Sequence, residues 1–164
     1  GGPSIQRAAA GGNPAAYRLP RPLLDDDRRL DFSFSGLKTA VRYTIAGPGR
    51  PDATRTPLSD QQVADLAASF QEALVDCLVG KSLLALKQTG LDTLCVGGGV
   101  AANARLRERL NEAAGRAGVR LFIAPPALCT DNAVMGAIAV ERYRAGLFES
   151  LDLDAYPGVV RKTG

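Results

Sequence analysis

The chain has 164 residues, 46% hydrophobic, 23% charged and only 5% aromatic, with a net charge of +3. That length gives one domain enough interior for a core, and the Gly- and Ala-rich balance favours close-packed helices over an aromatic-rich all-β sandwich. The absence of histidine excludes a self-contained histidine-dependent hydrolase or zinc enzyme for these residues, while the mild positive charge permits an anionic partner without establishing one.

In chain order, the first predicted element is a short helix from Pro3 to Ala10, stopped by Gly11-Gly12. Pro14, Pro20 and Pro22 then keep the chain extended or turning, and Asp25-Asp26-Asp27-Arg28-Arg29 reads as a solvated loop. Apolar and polar residues alternate over Asp31-Phe32-Ser33-Phe34, an extended lead-in. A helix should follow through Leu37, Ala40, Val41 and Ile45, capped by Ser33 or Ser35. Residues 46–57 read as a surface loop.

The longest element should be a helix from Ser59 to about Thr89. Ser59 with Gln62 fits a capping box, and Val63, Leu66, Ala67, Phe70, Leu74, Cys77 and Leu78 repeat at helical spacing, marking one buried face. Gly80 divides this stretch or marks a close helix contact, and Gly90 stops it. The period then changes. Residues 91–96 look like a buried strand ending at Gly97-Gly98-Gly99. A helix runs from about Asn103 to Ala117, Gly118 ends it, and residues 119–123 form a second strand before Pro125-Pro126. A strand–helix–strand unit implies parallel strands. A last helix from about Thr130 to Ala145 should carry Val134, Ile138 and Tyr143, with Gly146 as its stop and 147–164 as a loosely ordered tail. The expected class is α/β, helix-rich with a small, mostly parallel sheet.

Three cysteines, Cys77, Cys95 and Cys129, lie far apart with no CxxC; this argues against a secreted disulfide framework and for a reducing, cytoplasmic setting. No apolar stretch approaches the roughly 20 residues that span a bilayer, and no signal peptide opens the chain. The only methionine is Met135, so Gly1 is not expected to be a translation start, and the chain reads as processed, truncated or incompletely represented.

The sharpest local signal is Gly97-Gly98-Gly99 running into Asn103. A strand, bare glycines and a helix N-terminus present backbone N–H groups to a phosphate or another anion. A tight turn with Asn103 as N-cap explains the same residues. The pattern is neither of the glycine-rich dinucleotide or P-loop fingerprints. Thr130-Asp131-Asn132 stands at a second strand-to-helix junction, where Asp131 offers a metal ligand at the sheet edge; taken alone, a helix cap is the simpler reading. One aspartate cannot hold a catalytic metal, so other ligands would come from elsewhere. Cys129 is either a further ligand or a buried free thiol. Ser33, Ser35 and Lys38 offer hydroxyls and a cation to a ligand, or make an ordinary helix start with a solvated lysine. Gly1-Gly2-Pro3 is another glycine turn leading into a helix. Arg105, Arg109 and Arg116 share a helical face that reads as solvated rather than anion-binding.

Together and in order, Gly1-Gly2-Pro3, residues 31–39 (Asp31 to Thr39), residues 96–107 (Val96 to Arg107) and residues 125–135 (Pro125 to Met135) resemble the C-terminal half of the tRNA N6-adenosine threonylcarbamoyltransferases, once called O-sialoglycoprotein endopeptidases or glycoproteases. The resemblance spans nearly the whole chain. It implies the second lobe of an actin/Hsp70/sugar-kinase type fold, with 1–164 as that single lobe. It also implies transfer of threonylcarbamoyl from threonylcarbamoyl-adenylate to N6 of the adenosine beside the tRNA anticodon. By the resemblance, Gly98, Gly99 and Asn103 hold the nucleotide, Gly2 lines the same cleft, and Asp131 ligates one divalent metal, iron or zinc. The other metal ligands are two histidines of the first lobe, which this chain lacks; alone it is expected to be inactive. Implied partners are tRNA, accessory proteins of the same pathway and the first lobe, with no membrane. A third glycine at Gly97 and Gln6, where some relatives carry an acid, depart from the pattern. Competing readings are a metalloprotease, a noncatalytic nucleotide-binding or interaction lobe, and a kinase of the same superfold. The metalloprotease needs an activated water and metal ligands, which a histidine-free chain does little to supply.

Overall fold

The computed structural model describes residues 1–47, 57–130, 133–150 and 152. The first compact unit covers Gly1–Thr130 and the second Asp131–Gly164. In the first lie helix α1 (Gly2–Ala9), α2 (Ser35–Ala46), α3 (Asp60–Thr89), strand β1 (Thr93–Val96), α4 (Ala104–Ala117) and β2 (Arg120–Ile123). The second holds a short 3-10 turn (Ala133–Gly136) and α5 (Ala137–Arg144). No helix among the described residues is long and apolar enough to cross a membrane.

The capping box opens α3: the Gln62 N–H donates to Ser59 Oγ at 3.2 Å and the Ser59 N–H donates to Gln62 Oε1 at 2.9 Å. Gly90 closes it at φ +68°, where a side chain would be strained. The expected single buried face of α3 is corrected. Leu66 and Cys77 are buried, but Val63 is exposed, and Ala68, Ser69, Ala73, Val75 and Val79 are buried around the helix. Apolar clusters on more than one side account for this. One joins Leu66 and Ala73 to Leu19 and Leu37, backed by Phe34, Val41 and Phe70. The other joins Val75 and Val79 to Leu106, Leu110 and Ala113 of α4, with Leu94, Val96, Leu121 and Ile123 of the sheet. A helix flanked by layers spends its apolar residues all round instead of on one stripe. Gly80 does not divide α3; a methyl there would run into Leu24 of the preceding loop.

β1 and β2 pair in parallel, from Thr93 opposite Arg120 to Val96 opposite Ile123. Alternation decides their faces: Leu94, Val96, Leu121 and Ile123 pack on α4's cluster, while Cys95 and Phe122 are exposed. The strand expected to be buried is therefore covered on one face only. The acidic–basic loop is exposed at Asp25, Asp27, Arg28 and Arg29, as expected, with Asp26 partly covered. Lys81, 2% exposed, donates to the backbone carbonyls of Asp26 at 2.5 Å and Arg29 at 2.7 Å, tying that loop to α3.

Two helix starts differ from expectation. Phe34 is the N-cap of α2, and no side chain caps it, because Ser35 is already the first helical residue. α5 starts at Ala137, after the 3-10 turn, with Gly136 as N-cap and no side-chain cap. Val134, Ile138 and Tyr143 are exposed, and Gly146 at φ +68° stands just past the helix end. Of the expected loop, 48–56 lie outside the described residues, as do Asp131, Asn132, Leu151 and 153–164.

Candidate functional site

Both strands end on the same side, and the turns that leave them meet. Gly98 has φ +86° and ψ 171°, a combination open to glycine almost alone. The Ala101 N–H donates to Gly98 O at 2.9 Å, starting a 3-10 turn over Gly99–Ala102. A methyl group built on Gly97 or Gly98 would meet no atom within 4 Å. One side of the turn is thus bare backbone facing open space, the condition for a ligand to approach main-chain N–H groups.

Asn103 terminates the turn and caps α4: its Oδ1 accepts from the Leu106 N–H at 2.9 Å, and its Nδ2 donates to Gln71 Oε1 at 2.9 Å. The cap reading of Asn103 is therefore correct in its own right, and it fixes the turn against α3. Gln6 contributes from far away in sequence. Its Oε1 accepts from the Ala104 N–H at 3.1 Å, so α1, with Gly2 at its start, is docked beside the first turn of α4. Gly2 is exposed, and a methyl there would touch nothing within 4 Å.

After β2 the chain turns through Pro126–Leu128 to Cys129. The Ala124 N–H donates to Val96 O at 2.9 Å, prolonging the sheet to the edge of the glycine turn. Arg107 of α4 donates through Nη2 to the Ala124 carbonyl and to Cys129 Sγ, the latter at 3.4 Å. A methyl on Gly99 would lie 3.8 Å from the Cys129 carbonyl oxygen. The glycine turn and the Cys129 loop are thus neighbours, and Arg107 holds that loop to α4. The Cys129 thiol is buried and engaged with Arg107 and the Ala124 carbonyl, so it is a structural group of this loop. Asp131 lies outside the described residues. Among the described residues no three side chains of metal-ligating type come together.

Ser35 and Lys38 are not among the residues lining the cavity beside the glycine turn. Both are exposed on α2. Lys38 rims an apolar cleft of about 390 Å³ with Ile5, Val41, Ile45, Leu58 and Phe70. The element that does reach the glycine turn is Phe34, just before α2. With Leu74, Leu78, Val96, Gly97 and Val100 it lines a second apolar cavity of about 300 Å³.

Behind the site, the arginines expected to be solvated are paired with α3. Arg105 makes a two-pronged contact with Glu72, Nε to Oε2 at 2.8 Å and Nη2 to Oε1 at 2.9 Å. Arg109 reaches Asp76 at 3.3 Å and Glu72 at 3.6 Å, and Arg21 meets Asp76 at 3.0 Å. Only Arg116 fits the solvated reading, exposed beside Glu112. The Arg105 hydrogen bonds, above all, hold the Glu72 carboxyl below its usual range against the opposing effect of burial. The same bonds push Arg105 further up. This lattice fixes the start of α4, hence the glycine turn, against α3. Gln71 and Arg107 had no structural role assigned from sequence, and Gln6 was noted only as a departure from the family pattern. The available signal was a polar pair, Gln71-Glu72, interrupting an otherwise apolar stretch.

A family model described as tRNA N6-adenosine threonylcarbamoyltransferase matches residues 1–138. Curated proteins of that name are similar over almost the whole chain. With the Rhodopirellula baltica protein the identity is 52%, over 98% of this chain and 47% of the relative. With that of Desulfitobacterium hafniense it is 49%, over 97% of this chain and 45% of the relative. With that of Bordetella petrii it is 51%, over 90% of this chain and 41% of the relative. The chain spans somewhat less than half the length of these relatives.

Proposed function

The chain belongs to the tRNA N6-adenosine threonylcarbamoyltransferase family, and from that premise we propose that it forms one lobe of an enzyme moving threonylcarbamoyl from threonylcarbamoyl-adenylate to N6 of the adenosine beside a tRNA anticodon. The observation that carries this reading is the bare glycine turn after β1, leading into α4, which Gln6 ties to α1 and Arg107 ties to the Cys129 loop. Open backbone N–H groups beside a helix N-terminus suit the phosphate of an adenylate. In the reaction, a C–N bond forms from N6 to the carbamoyl carbon, the bond from that carbon to the phosphate oxygen breaks, and N6 gives up a proton.

Gly98 and Gly99 would let the nucleotide approach the main chain, and Gly2 would line the opposite side of the same edge. Asn103 would act with what its two structural bonds leave free, one N–H and one lone pair. Asp131, directly after Thr130, would ligate one divalent metal, iron or zinc, whose chemistry is polarisation of a carbonyl or an anionic oxygen. The described residues do not themselves make a metal site. The lobe would belong to an actin/Hsp70/sugar-kinase type fold acting in the cytoplasm, joined by a further lobe and by accessory proteins. The endopeptidase alternative is not favoured, because the relatives above are all named as transferases.

The test is transfer of labelled threonylcarbamoyl to tRNA by the intact protein with its accessory factors, beside Asp131→Ala. Transfer by the wild type and its loss, with loss of bound metal, in the variant is the expected result. A variant with normal metal content and turnover would remove Asp131 from the site. A folded, donor-binding wild type that transfers nothing would remove the function.

A further inference from the structure

Among the described residues, most arginines of the first unit are spent in ion pairs: Arg21, Arg105 and Arg109 with Glu72 and Asp76, Arg28 and Arg29 with Asp26, Arg120 with Asp92. Helix α2 is different. Its twelve residues contain Lys38 and Arg42 and no acid. Neither cation has an acidic partner among the described residues, and both are exposed. They stand four apart, so they project from one side of the helix, while Leu37 and Ala46 point into the core. Beside them Tyr43 is 45% exposed, and the Arg42 guanidinium lies over its ring at 6.0 Å from the centroid. Just before the helix, Phe32 is half exposed and stacks on Phe34 at 6.1 Å.

We infer that the exposed face of α2, through Lys38, Arg42 and Tyr43, is an RNA-contacting surface that holds the tRNA backbone and stacks an unpaired base. This rests on the functional reading above, which supplies tRNA as the substrate. Unneutralised cations at helical spacing match a chain of phosphates, and they release counterions on binding. An exposed aromatic ring already carrying a guanidinium offers the flat surface on which unpaired bases stack. The helix itself carries no carboxylate that would repel a polyanion. Lys38 is thereby placed on the acceptor RNA rather than on the donor nucleotide, consistent with its absence from the lining of the cavity beside the glycine turn.

The experiment measures tRNA affinity of the intact protein across a range of salt concentrations, for the wild type, Lys38→Gln/Arg42→Gln, Tyr43→Ala and the charge-keeping Lys38→Arg/Arg42→Lys. The double neutralisation should weaken binding about tenfold at moderate salt and lower the salt-dependence exponent by about 1.4 to 1.8, the value for two phosphate contacts. Tyr43→Ala should weaken binding about tenfold with little change in that exponent. The charge-keeping double should restore both. Unchanged affinity and exponent in the neutralised double overturns the inference. So does a double that binds tRNA normally but loses an accessory protein, since the face would then be a protein interface. Transfer assays separate this from the functional reading: wild-type transfer with α2-independent tRNA binding sinks only this inference, whereas α2-dependent binding without any transfer sinks only the function.

Discussion

The Asn103 side chain has two donors and two lone pairs, and the fold uses one of each, on the Leu106 N–H and on Gln71. Its two sequence readings, helix cap and nucleotide contact, are therefore compatible. Glu72 shows the opposite economy, with both oxygens taken by arginines. Because its carboxyl titrates below the ordinary range in the folded state, it contributes stability that is full above the unfolded carboxylate pKa and is lost as pH falls through the folded value. Glu72→Gln should cost about 1–3 kcal/mol at neutral pH, since it strips charge-assisted bonds from a partly buried guanidinium. Denaturant melts at a series of pH values should show the wild-type and variant stabilities converging as pH drops below about 4. A gap that stays constant across the acid range would mean the Arg105 contact carries no protonation-linked stability.

At the scale of elements, the parts with local punctuation were legible. The Ser59–Gln62 box, the Gly90 and Gly118 stops and the period change at 91–96 each have a cause within a few residues, and each appears as expected. What depends on distant partners was not. The all-round burial of α3 comes from Leu19 and Leu37 on one side and Leu106 and Leu110 on another, none of them visible in α3's own periodicity. Gly11-Gly12 illustrates the same limit. Both read as a helix stop, yet only Gly12 presses on α3, where a methyl would land on the backbone carbonyl of Ala64. Backbone cannot swing aside as a side-chain tip can, so Gly12→Ala should destabilise by about 1–3 kcal/mol and lower the melting temperature by several degrees. Gly11→Ala, where nothing lies within 4 Å, should be close to neutral. Equal melting temperatures for the two would show that the turn does not pack as described.

For the molecule as a whole, the candidate site is an edge where the chain leaves two parallel strands, the place where open α/β sheets take ligands. The motifs that mark it were legible as a strand-to-helix turn with an asparagine cap, because glycine and asparagine there have a local cause. Their assembly was not, because it depends on Gln6 and Arg107, two residues whose partners are remote in sequence or belong to the main chain. The central claim is that this edge holds the nucleotide. It is tested most directly by the dissociation constant of adenosine monophosphate for the intact protein, wild type against Gly99→Val. At Gly99 a Cβ meets only the Cys129 carbonyl at 3.8 Å, an ordinary contact, so the fold should tolerate a side chain that a ligand would not. The melting temperature should be unchanged and the affinity at least about tenfold weaker, about 1.4 kcal/mol. A Gly99→Val protein that binds the nucleotide as tightly as the wild type would contradict that claim.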